Sequence, residues 1–253
     1  MKKIDIIDSL CKIEKKYNIK ILYSCESGSR AWGFPSPSSD FDVRFIYVKN
    51  IKDYLSVGNL DLQIGIPISN DLDLVGWDLK KVLQLIKKSN TTPFEWLQSP
   101  IIYTEIEGFR QRLFKLCENY FHQRSNVFHY IGVAKSALNN LNGNTIKIKK
   151  LFYILRPLLA AMWCLKNNQI APMEIKDLLI NIPLNISSKI IDLIEFKKNV
   201  AEDYPINLEQ ELKEFIFKNY ENCLVIANSL EIKSFSLEPL NEFFLTELDL
   251  HKI

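Results

Sequence analysis

Asp40 and Asp42 stand on either side of Phe41 at the mouth of an apolar run, FDVRFIYV, residues 41–48. Successive side chains of a strand point to opposite faces, so the two carboxylates share one face, about 6.5 Å apart. Two like charges that close call for a cation between them. Upstream, Gly28 and Ser29 lead into Arg30–Phe34, which has the length of a single helical turn. Gly28 lets the backbone approach a ligand, the N–H groups of Ser29 and Arg30 favour an anion, and Ser29 adds a hydroxyl. An anion loop followed by paired acids is the equipment of phosphoryl-type transfer, with the carboxylates holding hard divalent cations through oxygen. A third carboxylate on a neighbouring strand completes such a site. Asp73, in DLDLVGW at 71–77, is the candidate, both as a metal ligand and as the acceptor of a proton from an attacking hydroxyl. Asp71, on the same strand face as Asp73, is the fallback, since strand phase read from sequence can slip.

Several elements must position these groups. Ile4, Ile7, Leu10, Ile13 and Tyr17 recur at helical spacing over 3–17, and Ile19–Cys25 is an apolar run of strand length. Pro35 and Pro37 with three serines make a loop, and 41–48 reads as a strand. Irregular chain begins at Asp53, strands follow over 60–66 and 71–77, and Asp78 is the expected N-cap of a helix over 79–88. TTPFEWLQSP starts a short helix with Pro93 in its first turn. Beyond about residue 107 helical periods dominate: 109–121, 125–140, 146–167, 173–181, 187–199, 208–229 and 237–247, with Pro157 expected to bend the third. The class is α+β: a sheet with flanking helices over 1–107, then an all-helical unit over 108–253.

The 253 residues are 47% hydrophobic, enough for one large core or two small ones, and 32 basic against 30 acidic residues leave no global nucleic-acid or membrane signature. No apolar run reaches about 18 residues, so no membrane-spanning helix is expected. Asp5 and Asp8 sit where a signal peptide would be apolar, and 3–17 reads as an amphipathic helix. Five widely spaced cysteines, odd in number and without a CxxC pair, argue against disulfides and zinc and for a cytoplasmic setting. His122 and His129 read as ordinary helix residues.

GSRAWGFPSPSSDFDV resembles the signature of DNA polymerase beta-type nucleotidyltransferases: Gly-Ser, a gap, then Asp-x-Asp. ESGSRAWGF (26–34), SDFDVRFIYV (39–48), DLDLVGWDLKK (71–81), PFEWLQSPIIY (93–103) and KLFYILRPLLA (150–160) narrow the resemblance to a bacterial and phage group linked to RNA repair, the YcgL/RlaP type. The resemblance covers roughly residues 20–165. It implies an antiparallel or mixed sheet, two Mg²⁺ ions (Mn²⁺ as a substitute) and transfer of a nucleoside monophosphate from an NTP with loss of pyrophosphate. It places Asp40 and Asp42 on the metals, Asp73 as the third acid, and Gly28 and Ser29 on the triphosphate.

Other residues extend or compete with that site. In TIKIKKLFYILRP, Lys149, Tyr153 and Arg156 fall on one helix face, fit to reach a triphosphate or an RNA backbone; the competing reading is a basic solvated face above a core stripe. Glu26 either tunes the metal site or pairs with Arg30 or Arg44; Arg44 reads as a carboxylate's structural partner, and Trp32 as a stacking group or a core anchor. The acceptor hydroxyl belongs to an RNA 3′ end, a protein or a small molecule. The alternative is a non-catalytic nucleotide-binding or antitoxin-like partner protein on the same fold.

Overall fold

The computed structural model describes residues 3–69 and 71–251. The chain forms two compact units that interleave along the sequence. One comprises residues up to Gly28, Asp40–Tyr120 and Ser234 onward; the other comprises Ser29–Ser39 and Phe121–Lys233. A single cut near residue 107 therefore does not describe the packing, because segments beyond it belong to the sheet-containing unit.

That unit opens with α1 (Lys3–Tyr17), whose buried residues Ile6, Leu10 and Ile13 lie at the spacing one helix face requires. β1 (Ile19–Glu26), β2 (Phe41–Lys49), β3 (Gln63–Ser69), β4 (Leu72–Asp78) and β5 (Ile102–Glu105) form one sheet in the order β3-β4-β2-β1-β5. It is mixed: β2 and β4 run parallel, and the other neighbours are antiparallel. Val43, Phe45, Tyr47 and Leu74 share a core with the buried face of α1. Alternation therefore turns Asp42 and Arg44 of β2 to the opposite face. Gly76 of β4 sits under the Phe45 ring, where an added Cβ would come within 2.0 Å of ring carbon, so no larger residue fits.

A short helix, α2 (Gly28–Trp32), joins β1 to the serine loop, and α3 (Ile51–Tyr54) follows β2 where irregular chain was expected. Asp78 caps α4 (Leu79–Lys87) as expected, its carboxylate accepting the Lys80 N–H at 2.8 Å. α5 (Thr91–Trp96) is capped by Asn90 and carries Pro93 in its first turn. α6 (Phe109–Asn119) packs on β1.

The helical unit is built on α7 (Gln123–Leu138) and α8 (Ile148–Asn167), followed by α9 (Ile175–Leu178), α10 (Leu184–Lys197) and α11 (Gln210–Ser229). Val127, Ile131, Leu151, Leu155, Leu158, Ile190 and Ile216 form its core, and Phe34 of the serine loop joins them. α8 runs through Pro157 without interruption. Its start is later than the periodicity predicts, because Thr145–Lys147 forms a strand, β6, paired with β7 (Pro205–Asn207). The final helix, α12 (Glu238–Leu250), returns to the sheet-containing unit: Arg112 of α6 donates from Nη2 to both carboxylate oxygens of buried Glu247, at 2.8 and 3.1 Å.

Candidate functional site

Parallel pairing sets Asp42 of β2 directly beside Asp73 of β4, with Arg44 beside Val75 one step further along. All four residues lie on the face turned away from α1. The cation that paired carboxylates call for is Arg44. Its Nη2 donates to Asp42 Oδ1 at 2.9 Å and to Asp73 Oδ2 at 2.8 Å, while Nη1 donates to the Asp73 carbonyl at 3.2 Å. The Arg44 side chain is 16% exposed, and the two aspartates are 30% and 25% exposed. Asp40 is exposed and precedes the strand. Asp71 is no substitute for Asp73: it lies in a turn with φ 61°, and its carbonyl accepts the Phe41 N–H at 2.8 Å.

Among the described residues, no three His, Cys, Asp or Glu side chains are grouped closely enough to hold a metal ion. The donor chemistry nonetheless fits a divalent cation. Two hard carboxylate oxygens already converge within 3 Å of one cationic nitrogen, and a metal would take the place of that guanidinium.

The backbone leading into the signature is fixed against Asp42. Gly28 has φ +61°, and a Cβ there would lie 2.0 Å from Asp42 Oδ2, so the position demands glycine on both counts. Ser27 N–H donates to the Asp42 carbonyl at 2.8 Å. Glu26 is fully buried: its Oε1 accepts the Asp42 N–H at 2.8 Å, and its Oε2 accepts the Tyr103 hydroxyl. Spacing could not have revealed this partnership, since Tyr103 comes from β5, 77 residues away.

The remaining sequence-predicted residues belong to the helical unit, and the structure separates their roles. Ser29 donates to Ser39 Oγ at 3.0 Å, and Arg30 Nη2 donates to the Ser39 carbonyl at 2.8 Å. Lys149 donates to Glu202, and Tyr153 meets Trp32 edge-on with ring centroids 5.7 Å apart. Arg156 does not extend an exposed basic face. It is 3% exposed, donates to the Met173 carbonyl at 3.2 Å, and lies over the rings of Trp32 and Tyr130. Trp32 is thus held by Arg156, Tyr153 and, at 5.8 Å, Phe34. Glu202 and Lys197, which sequence reasoning passed over, surround the serine loop; nothing local in their spacing marks them.

His122 closes on Ser125 at 2.7 Å and on the Glu231 carbonyl at 2.9 Å, as a satisfied buried side chain does. Among the described residues all five cysteines are free, and no helix is long and apolar enough to cross a membrane.

The chain is 38% identical over 251 residues to the uncharacterized protein YcgL of Bacillus subtilis (strain 168), covering 96% of this chain and 95% of that one. A solved structure of a nucleotidyltransferase-like protein from Exiguobacterium sibiricum 255-15 is 12% identical, with a TM-score of 0.34 over 88% of this chain and 75% of that one. Residues 2–246 match the family described as RlaP, RNA repair pathway DNA polymerase beta family. With that match over nearly its whole length, and with the Gly-Ser and Asp-x-Asp signature built as described, the chain belongs to the RlaP family of DNA polymerase beta-type proteins.

Proposed function

We propose that the protein is a divalent-metal-dependent nucleotidyltransferase that moves a nucleoside monophosphate from an NTP to an acceptor hydroxyl and releases pyrophosphate. The observation that carries this reading is the β2–β4 register, which sets Asp42 beside Asp73 around a single cationic nitrogen. Family membership supports the same chemistry.

Asp42 and Asp73, with Asp40 at the entrance to β2, would hold Mg²⁺ or Mn²⁺, which when bound neutralises charge on the triphosphate and on the attacking oxygen. Gly28 and Ser29 receive the triphosphate, helped by Arg30 and Lys149. Asp73 takes the proton as the acceptor oxygen bonds to the α-phosphorus, and the bond to the bridging oxygen breaks so that pyrophosphate leaves. Tyr153 and Trp32 offer aromatic surface for a base, and Arg156 acts by positioning Trp32 rather than by touching phosphate.

An RNA 3′ end is the favoured acceptor, on the strength of the family's RNA-repair description and of exposed Lys147 and Lys150 beside Lys149. Five cysteines outside any disulfide among the described residues support a reducing, cytoplasmic setting.

The second reading is a nucleotide-binding partner protein without catalysis. It is favoured by the Arg44 guanidinium, which occupies the place a metal would take. Pyrophosphate release from each NTP with Mg²⁺ or Mn²⁺, with and without RNA, separates the two. Release that disappears in Asp42→Asn and Asp40→Asn establishes the enzyme. Bound NTP with no release in any mixture establishes the partner protein.

A further inference from the structure

The sheet face that carries Asp42 and Asp73 continues past them toward the β3 edge. Asp73, Val75 and Trp77 alternate along β4 and so share that face, with Val75 about 6.5 Å and Trp77 about 13 Å from Asp73 along the strand. Antiparallel pairing sets Gly65 of β3 opposite Val75, and Gln63 opposite Trp77. Gly65 is exposed, and Val75 and Trp77 are half-buried.

We propose that this shelf of β3 and β4 holds the 3′-terminal nucleotide of a single-stranded RNA acceptor, with its base on Gly65 and Val75, packed against Trp77, and its ribose hydroxyl turned toward Asp73. This rests on the reading of Asp42 and Asp73 as the transfer site and names where that site takes its acceptor.

Gly65 is not there for the fold. Its φ lies outside the left-handed region, and an added Cβ would meet nothing within 4 Å. A glycine inside a strand weakens it, and one that neither a turn nor packing requires leaves room for a close approach. Trp77 forms the wall of that space. It is backed by Trp96, which is 3% exposed, with ring centroids 4.2 Å apart. Its indole N–H is buried and meets no acceptor among the described residues, so no hydrogen bond calls for tryptophan at this position. What the residue supplies is a supported aromatic surface, against which a base of any identity packs. The Lys81 ammonium of α4 lies 4.7 Å from the centroid of the same ring and donates to Gln63 Oε1 at 2.6 Å. An exposed contact between a cation and a ring is weak, so the base takes the ammonium's place and the flexible lysine stem carries its charge to the strand's phosphate. The strand order separates this approach from that of the triphosphate. Gly28, against Asp42, follows β1, whereas the shelf lies on β4 and β3, beyond Asp73. Asp73, the proton acceptor, is thus the acid nearer the incoming hydroxyl.

The test is binding of a 5′-labelled single-stranded RNA to the full chain, read by fluorescence anisotropy without metal or NTP at one fixed salt concentration. Wild type, Gly65→Val and Trp77→Leu are each given an RNA with an intact 3′ end, one that is abasic at its 3′-terminal nucleotide and one that is abasic at an internal position. Gly65→Val fills the shelf with a residue that strands favour, so it should melt no lower than wild type and yet bind the intact RNA about tenfold more weakly. Trp77→Leu removes one contact between a base and an aromatic ring and should lose about as much. In wild type the abasic 3′ end should cost the same factor, and in either variant it should cost nothing further, because the contact is already gone. A wild type that binds no RNA, or binding that Gly65→Val leaves unchanged, overturns the proposal. So does a loss that follows the internal abasic position instead of the 3′ end. Trp77→Leu uncovers Trp96, and if it does not fold, Gly65→Val decides alone. Losses of the expected size in a protein that releases no pyrophosphate support the shelf and overturn the enzymatic reading alone. RNA-dependent pyrophosphate release by a wild type whose binding ignores Gly65→Val overturns the shelf alone.

Discussion

Gly28→Ala tests how closely the loop backbone and the acid face are fitted. The added Cβ would lie 2.0 Å from Asp42 Oδ2 and 2.9 Å from its Cγ, while the φ of +61° is kept by the bonds around it. Alanine in the left-handed region costs about 1–2 kcal/mol. Asp42 must also swing away. An off-rotamer side chain costs about 0.5–1.5 kcal/mol, and losing its charge-assisted bond from Arg44 costs about 1.5–3 kcal/mol. Gly33→Ala is the matched control. Gly33 has φ +93°, but its nearest neighbour would be Ile175 Cγ2 at 3.9 Å, an ordinary contact. The backbone penalty at Gly33 is no smaller, because its φ lies further from the left-handed well, so any greater loss in Gly28→Ala reports the displacement of Asp42. For a chain of this size each kcal/mol moves Tm by about 2–4 °C, which puts Gly28→Ala roughly 5–15 °C below Gly33→Ala in a thermal melt. Pyrophosphate release should fall with Gly28→Ala far more than with Gly33→Ala. Equal melting temperatures and equal activity in the two variants would refute the argument that Gly28 is required by the Asp42 carboxylate.

Arg44→Gln removes the resident cation between Asp42 and Asp73, so millimolar Mg²⁺ should raise its melting temperature more than it raises that of wild type; an equal shift would mean that Arg44 does not compete with metal. Glu26→Ala leaves the Asp42 N–H and the Tyr103 hydroxyl without their buried acceptor, at about 1–3 kcal/mol for each group, read as a lower urea midpoint with an unchanged m-value. Burial pushes the Asp78 carboxyl up to about 6, against hydrogen bonds from the Tyr54 hydroxyl and the Lys80 N–H. The folded chain thus binds more protons than the unfolded chain between about pH 4 and 6, and stability attributable to Asp78 falls as pH rises through that window. Asp78→Asn, still an N-cap, should escape that loss; its stability advantage over wild type should grow from pH 4 to 6 by an amount on the order of 2–3 kcal/mol and then level off, and a pH-independent difference would contradict it.

Local pattern was readable wherever one face of an element meets a core. α1 begins and ends where its apolar spacing places it, and the alternation in β2 and β4 assigned Asp42 and Asp73 to one face and Leu72, Leu74 and Gly76 to the other. Asp78 was legible as a cap because the chemistry of capping lies within two residues. β5 was missed: four residues after Pro100 carry too little periodicity, and its pairing with β1 is what makes it a strand. β6 was absorbed into a helix for the same reason, since Ile146 is extended only because Ile206 lies opposite. At the candidate site, Arg44 was within reach because it follows Asp42 at the period of the strand. Glu26 with Tyr103, and Ser39 with Glu202 163 residues away, are pairings that only the folded chain creates. Arg156 shows the opposite failure: correct helical spacing identified the face it shares with Lys149 and Tyr153, but not that this arginine is roofed by aromatic rings.

The interleaving of the two units bears on how this chain can be made. Residues 29–39 leave one unit for the other and return at Asp40, and the last helix returns to the unit in which the chain began. No single break therefore yields a piece that owns all of one core. A fragment ending near residue 107 lacks α6 and α12 and carries a serine loop whose partners, Phe152 and Lys197, have been cut away. A ribosome that has released the first hundred residues has likewise released nothing that can finish folding. Completion of each unit therefore waits for segments made after residue 107.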